Sequence, residues 1–249
     1  MATGNDIRPI WALPEPATRK PRYTRDQIAA VALRIADAEG FDAVTMKRIA
    51  AELGAGTMTL YYYVRTKADI VALIHDAILA GVLIPDGEFP VGWRDAMTAI
   101  ARRTRQVLMA HPWSVASLNA AQFGPNAMRH IEQSLAATAG TGLDAAARLE
   151  IMATVDDFVT GNALHSVESL SRAQMAEADP GLVAAAVEYG LTQLQAGNFP
   201  QLTALYGGGA SSGDDEPALP PMTEEALSRQ FERGLAALLD GLAVRMNIG

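Results

Sequence analysis

Hydroxyl-bearing and cationic side chains are concentrated between residues 57 and 67, in the order Thr-Met-Thr-Leu-Tyr-Tyr-Tyr-Val-Arg-Thr-Lys. Threonine and tyrosine hydroxyls can bond phosphates or base edges, and the methyl groups of Thr57 and Met58 can contact thymine methyls. Arg65 and Lys67 at the end of the segment suit a DNA phosphate. The chemistry that these residues favour is therefore the binding of nucleic acid.

Two short helices are needed to position these side chains. Apolar residues ahead of them recur at helical spacing, at Met46, Ile49, Ala50 and Leu53. Thr45 can cap the start of this helix and Gly54 can end it, while a second helix from Thr57 would bury Leu60 and Val64. Two short helices joined by a glycine-containing turn predict a helix-turn-helix. An ordinary helical hairpin inside a core would have the same pattern.

A longer match distinguishes these alternatives. The pattern Ile49-Ala50-x-x-Leu53-Gly54, continued by Thr59-Leu60-Tyr61-x-Tyr63-Val64-x-x-Lys67-x-x-Ile70, resembles the signature of TetR-family transcriptional repressors. The resemblance implies an all-α fold with an N-terminal three-helix helix-turn-helix DNA-binding domain and a C-terminal helical ligand-binding and dimerisation domain. It also implies a homodimer that pairs through the long middle helix and the C-terminal helix.

The residues expected to bind DNA lie on both helices of the motif and at the start of the next helix. Lys47 and the segment from Thr57 to Tyr63 are expected to contact bases and phosphates, and Tyr61, Tyr63 and Lys67 to hold mainly the backbone. The predicted set is Thr45, Lys47, Arg48, Gly56, Thr57, Met58, Thr59, Tyr61, Tyr63 and Lys67.

Composition limits the class of protein. The chain has 249 residues, 49% of them hydrophobic and 6% aromatic, which suits a helical protein with a large core. Cysteine is absent, so disulfides and thiolate metal sites are excluded. No apolar run approaches the ~18 residues of a membrane-spanning helix. We expect a cytoplasmic protein with no metal and no cofactor.

The charge of the chain is unevenly distributed. The net charge is −8, which by itself disfavours binding to nucleic acid. Residues 17–67, however, contain nine Lys or Arg and five Asp or Glu, a net +4, so the remainder carries −12. A basic N-terminal region on an acidic body is typical of a DNA-binding module joined to a regulatory domain.

Three regions are predicted along the chain. Residues 1–21 are rich in proline and end in basic residues, so we expect a flexible arm, which either contacts the minor groove or remains a solvated tail. The DNA-binding domain spans 22–68 and opens with a capping box from Thr24 to Gln27. A helical regulatory and dimerisation domain spans 69–249. Its predicted helices cover about 67–82, 93–109, 113–122, 125–139, 144–173, 180–195 and 223–246, with a flexible loop at 207–221.

The body also resembles that of tetracycline repressors, in the segment from Asp157 to Glu168 and in the C-terminal helix. The likeness implies a pocket between the middle helices, reaching towards the dimer partner. The ligand is expected to be an aromatic or antibiotic-like compound rather than metal-bound tetracycline, because His165 stands where an acid is expected. The predicted lining is His111, Trp113, Asn119, Phe123, Met128, Phe158, Asn162 and His165. Each of these residues could equally be part of the core.

The sequence leaves three functions to weigh. The leading one is a homodimeric repressor that a small-molecule effector releases from a palindromic operator in double-stranded DNA. An enzyme is disfavoured, because the Gly-x-Ser-x-Gly, His-Glu-x-x-His and phosphate-loop motifs are absent. The third is a helical dimer that binds a ligand or a protein without sequence-specific binding to DNA.

Overall fold

The computed structural model describes residues 8–14, 22–117, 123–206 and 223–248, and all regular structure within these ranges is helical. Four helices form the N-terminal head. They are α1 (Arg25–Glu39), α2 (Met46–Leu53), α3 (Thr57–Leu60) and α4 (Lys67–Ala80). The predicted helix-turn-helix is therefore present at the expected residues.

Local capping fixes where the head helices begin. The Thr24 side chain accepts from the Gln27 amide and Gln27 Oε1 accepts from the Thr24 amide, which completes the predicted capping box of α1. Thr66 and Asp69 form a second capping box at the start of α4. Each cap satisfies amides that the first helical turn leaves without partners, and a single cap contributes about 1 kcal/mol.

One apolar core holds the head together. Ile28 and Ile35 from α1 are buried against Ile49 from α2, Leu60 from α3 and Ile74 from α4. Burial of a side chain of this size stabilises the fold by about 1.5–3 kcal/mol. The three shorter helices therefore derive their stability from packing rather than from their length.

The body consists of seven helices within the described ranges. They are α5 (Trp93–Ala110), α6 (Pro112–Ser117), α7 (Pro125–Ala137), α8 (Ala145–Ala178), α9 (Pro180–Gln195), α10 (Pro200–Tyr206) and α11 (Glu224–Met246). The chain forms two compact units. The first is made of residues 1–164 and 235–249, and the second of residues 165–234. Among the described helices, none combines the length and the hydropathy needed to cross a bilayer.

The body differs from the predicted helices in two places. The long helix α8 continues to Ala178, five residues beyond the expected end at Ala173, because Asp179 and Pro180 provide the first strong stop signal. Helix α10 was not predicted, since its seven residues are too few for a helical period to stand out. The loop predicted at 207–221 lies outside the described residues.

Residues 8–14 also differ from the expected flexible arm. Ile10–Ala12 form a single 3-10 turn, and Ile10 is fully buried in the core of the head. Trp11, for which the sequence indicates no role, packs against the same core. The apolar pair Ile10 and Trp11 indicates docking, but the proline-rich composition of the segment favoured a flexible arm instead.

Candidate nucleic-acid interface

The second helix of the motif and the turn that follows it, residues 57–64, form the recognition segment. Leu60 and Val64 are fully buried and fix its inner face, as predicted. Met58 and Tyr62 are 75% and 79% exposed, and Tyr61 is 46% exposed. A flexible thioether and two phenols therefore point away from the core, where they are free to meet another molecule.

The turn between α2 and α3 requires a glycine. Gly54 has a φ of 63°, in the left-handed region that glycine adopts without steric cost. Its amide donates to the carbonyls at the end of α2, and Gly56 then becomes the N-cap of α3. Gly56 is exposed and no side chain caps α3, which leaves the start of the recognition segment accessible.

Tyr63 faces inward, unlike Tyr61 and Tyr62. Its side chain is only 6% exposed, and its hydroxyl oxygen lies 3.4 Å from the Tyr23 amide, which donates to it. The Tyr23 ring packs edge-on against Tyr63, and its hydroxyl donates to the Leu53 carbonyl at 3.2 Å. Tyr63 can therefore position the recognition segment from beneath. Tyr62 is the exposed residue that sequence reasoning missed, because three consecutive tyrosines in a tight turn give no periodicity that separates the faces.

Arg48 is occupied by acidic neighbours. Its guanidinium donates to Glu39 at 2.8 Å and to Glu52 at 2.7 Å. The hydrogen bond between Arg48 and Glu39 is the largest cause of the raised pKa of Arg48. The hydrogen bond between Arg48 and Glu52 lowers the pKa of Glu52. Lys47, the next residue along α2, is exposed. The Thr45 hydroxyl accepts from the Arg48 amide, so its first role is to cap α2.

Lys67 stands at the first position of α4, at the end of the recognition segment. Its ammonium group lies 5.2 Å from the centroid of the Phe41 ring, a distance at which a cation is attracted to an aromatic face. Asp69 holds the preceding turn, because its carboxylate accepts from the amides of Arg65 at 2.9 Å and Thr66 at 3.2 Å. Lys67 is therefore both exposed and oriented.

Two residues predicted to line the ligand pocket lie where the head meets the body. Trp113 Nε1 donates to Asp37 Oδ1 at 2.8 Å, and His111 Nδ1 lies 2.7 Å from the same oxygen. The Trp113 ring also contacts the edge of His75, which is buried in α4. This arrangement joins the end of α1 to the start of α6.

The remaining predicted pocket residues are dispersed. Phe123 and Met128 are 73% and 65% exposed, and Asn119 lies outside the described residues. Phe158 is half-buried in α8, and one turn later Asn162 Oδ1 accepts from Arg105 Nε at 2.9 Å. His165 is exposed in the second unit. The pocket lining therefore stays a prediction, and these side chains do not share one cavity among the described residues.

A large apolar groove lies elsewhere, within the second unit. Its volume is about 760 Å³. Leu182, Val187, Leu194 and Phe199 contribute to its walls, and Arg172 is its one charged lining residue. None of the eight predicted pocket residues lines this groove. Across the part of the chain that the structure describes, no three His, Asp or Glu side chains are close enough together to hold a metal ion.

Models of two known domains match this chain. Residues 28–74 match the model of bacterial regulatory proteins of the tetR family, and residues 87–246 match that of the tetracyclin repressor-like C-terminal domain. The HTH-type transcriptional repressor DrrR1 of Streptomyces coeruleorubidus is 33% identical over 230 residues, which cover 90% of this chain and 79% of that protein. An HTH-type transcriptional regulator of Saccharopolyspora erythraea is 32% identical, with coverages of 94% and 91%.

Solved structures resemble most of the chain as well. The crystal structure of the Streptomyces coelicolor TetR family protein ActR in complex with actinorhodin has a TM-score of 0.69 and 28% identity. The alignment covers 91% of this chain and 97% of ActR. A second structure of ActR, in complex with (S)-DNPA, has a TM-score of 0.66 at the same identity, with coverages of 90% and 98%.

Proposed function

Because the chain belongs to the tetR family of bacterial regulatory proteins, we propose that it is a homodimeric repressor that a small-molecule effector releases from a palindromic operator. The chain is a DNA-binding transcriptional regulator, and its relatives are regulators rather than enzymes. Repression, dimerisation and release are the steps that we add. The site of action is the cytoplasm, where a bacterial operator is accessible.

The exposed side chains of the recognition segment carry the proposal. Met58 and Tyr62 are the most exposed large hydrophobic side chains of the described part of the head, and they project from α3 and from the turn after it, whose opposite face is buried. A helix held in this way can enter the major groove and read base edges, while flanking cations neutralise phosphates. Lys47 and Lys67 supply those cations on the neighbouring helices.

Exposed apolar residues on the longest helices support a homodimer. Leu149 and Leu164 on α8 are 45% and 42% exposed, and Val244 on α11 is 83% exposed, although the opposite faces of both helices are buried. Leu149 and Leu164 of α8 and Val244 of α11 are thus apolar side chains that a symmetry mate can cover. The two recognition segments of such a dimer would read half-sites one helical turn, or a multiple of it, apart.

The effector site is proposed between α5 and α8. Arg105 and Asn162 form a partly buried polar pair there, and the half-buried Phe158 lies one turn before Asn162. A few fixed polar groups among aromatic and aliphatic side chains are typical of small-molecule sites. ActR has been solved with actinorhodin, so an aromatic compound is the effector class that we propose.

The decisive experiment is selection of binding sites from a pool of random duplex DNA with the purified chain. We expect an enriched palindrome and an affinity for it that falls steeply as the salt concentration increases. The Met58→Ala, Tyr62→Ala double variant is the matched control and should fold normally but enrich no site. Actinorhodin and other aromatic compounds are then tested for release of the selected duplex.

Two outcomes would contradict the proposal. If the wild-type chain enriches no sequence and binds DNA only weakly, it is a helical dimer without an operator. If a palindrome is enriched but the protein remains monomeric in sedimentation equilibrium on and off DNA, the symmetric arrangement is wrong.

A further inference from the structure

The segment Arg8–Pro14, which we call the N-terminal strap, is anchored to the head by one buried guanidinium. Arg25 is 8% exposed, and its Nη1 donates to the carbonyls of Ile10 at 2.9 Å and Leu13 at 2.8 Å. Its Nη2 donates to the Pro14 carbonyl at 3.3 Å. A buried guanidinium is costly unless its donors are satisfied, so the three carbonyls and Arg25 hold one another in place.

The same guanidinium reaches the recognition segment. Arg25 Nε donates to the Tyr63 carbonyl at 3.2 Å, at the turn that carries Tyr61 and Tyr62. Arg65, just after that turn, donates from Nη2 to the Arg8 carbonyl at 2.9 Å. The strap and the end of the recognition segment are therefore joined at two points.

The opposite side of the strap contacts the body through Trp11. A Cβ placed on Gly124, the residue before α7, would lie 2.8 Å from Cζ2 of Trp11 and 2.2 Å from Oδ1 of Asp76. The Asp76 carboxylate in turn accepts from the amides of Asn126 at 2.9 Å and Ala127 at 3.2 Å. Trp11 thus packs where α4 of the head meets the start of α7.

We propose that the N-terminal strap is a positioning element for DNA recognition, which fixes the turn after α3 through Arg25 and ties that turn to the body through Trp11. The inference rests on the proposed function for its readout on DNA. It assigns a role to residues that precede the matched helix-turn-helix domain, which begins at residue 28. The strap acts from behind the recognition segment. It therefore differs from a basic arm that contacts the minor groove directly.

The two roles make opposite predictions for full-length variants. A positioning strap predicts that Trp11→Ala weakens binding to the selected operator on the order of tenfold without changing the slope of log affinity against log salt. Arg8→Ala, which keeps the backbone carbonyl bonded by Arg65, should leave the slope close to wild type. A DNA-contacting arm predicts that Arg8→Ala lowers the slope by about 1 and that Trp11→Ala has no effect.

Hydrogen exchange gives a readout that does not depend on DNA. In Trp11→Ala, amides of residues 60–64 and of Asn126 and Ala127 should exchange faster than in wild type, while the amides of α8 keep their rates. Trp11→Phe preserves a ring beside Gly124 and should restore most of the protection and of the operator affinity. This rescue separates positioning from general instability of the head.

The outcomes separate the strap from the proposed function. Unchanged exchange at residues 60–64 in Trp11→Ala, or weakening that Arg8→Ala reproduces with a lower salt slope, would overturn the strap as a positioning element. If the wild-type chain selects no operator, the proposed function fails, and the exchange measurement alone then decides whether the strap holds the turn.

Discussion

The ring of Phe41 stacks on the indole of Trp113, with the centroids 5.4 Å apart and an angle of 11° between the planes. Phe41 follows α1 in the head, and Trp113 lies in α6 of the body. Since the Lys67 ammonium also lies over the Phe41 ring, a displacement of α6 can change the position of Lys67, a cation that we propose to contact DNA. Contiguous contacts of this kind are the physical means by which two sites are coupled.

Trp113→Ala should destabilise the chain by about 2 kcal/mol or more, because it removes the aromatic stack and the hydrogen bond to Asp37. Trp113→Phe keeps a ring that can stack on Phe41 and loses the N–H donor and part of the indole, so a smaller loss of about 1 kcal/mol is expected. Urea unfolding, followed by far-UV circular dichroism, measures both. Equal losses in the two variants would show that the stack itself contributes little.

Tyr62→Ala and Met58→Ala should each relax the sequence preference of binding, since these are the two most exposed large hydrophobic side chains of the recognition segment and are available to base edges. We expect a loss of about 1–3 kcal/mol on the selected operator and little change on random duplex. Val91→Ala is the control, because Val91 is an exposed apolar side chain outside the recognition segment. Fluorescence anisotropy with both duplexes gives the ratio of the affinity for the operator to the affinity for random duplex. If this ratio is unchanged in both variants, neither Met58 nor Tyr62 recognises bases.

Lys67→Ala should weaken binding similarly on all duplexes and reduce the slope of log affinity against log salt by about 1, as expected for the loss of one phosphate contact. Arg245→Ala removes the same charge from an exposed position at the end of α11 and serves as the control. Titrations from low to high salt measure the slope. A slope that falls equally in both variants would indicate a general charge effect rather than a contact.

Folding stability should decrease as the pH falls below neutrality, in part because of His75. Burial lowers the pKa of His75 from its ordinary value, about 6.5 in the unfolded chain. Between the two values the unfolded chain binds a proton that the folded chain does not, so lower pH favours unfolding.

His75→Phe should therefore reduce the difference in unfolding free energy between pH 8 and pH 5.5. His165→Phe changes an exposed histidine and should preserve that difference. Burial raises the pKa of Asp76, which works in the opposite direction, but this group is present in both variants and cancels in the comparison. Denaturant titrations at the two pH values measure the unfolding free energies. If their difference is as large in His75→Phe as in wild type, burial of His75 does not cause the pH dependence.

Leu164→Glu should weaken the proposed homodimer, because it places a charge on the exposed apolar face of α8. A loss of tenfold or more in the dimerisation constant is expected for a buried contact at an interface. Met128→Glu alters a more exposed apolar residue on α7 and serves as the control. Sedimentation equilibrium measures both, and dissociation by Met128→Glu alone would place the interface on α7.

Periodicity and capping were sufficient to predict the head. The helices, the left-handed glycine and the buried faces of Leu60 and Val64 follow from local rules that act over a few residues. The orientation of Tyr62 and Tyr63 was not accessible in this way, because it depends on Tyr23, forty residues earlier in the chain. The pairing of Arg48 with Glu39 likewise depends on the angle between α1 and α2.

The body was harder to predict from sequence. His111 and Trp113 suited a ligand pocket by residue type, but an aspartate 74 residues away from His111 holds both of them at the head. The docking of Ile10 and Trp11 was missed because prolines dominate the composition of the first residues. In each case the deciding partner is distant in sequence and close in space.

Gly124 is a position at which the regulator can be engineered. The site has room for a hydrogen atom only, with a carboxylate on one side and an indole on the other. An alanine there would push α4 of the head and the start of α7 apart, without altering any side chain that we propose to contact DNA or an effector. Side chains of increasing size at this one position would shift the equilibrium between the DNA-binding and released states of the regulator in steps. Such an adjustment is required when a repressor is converted into a biosensor with a chosen threshold.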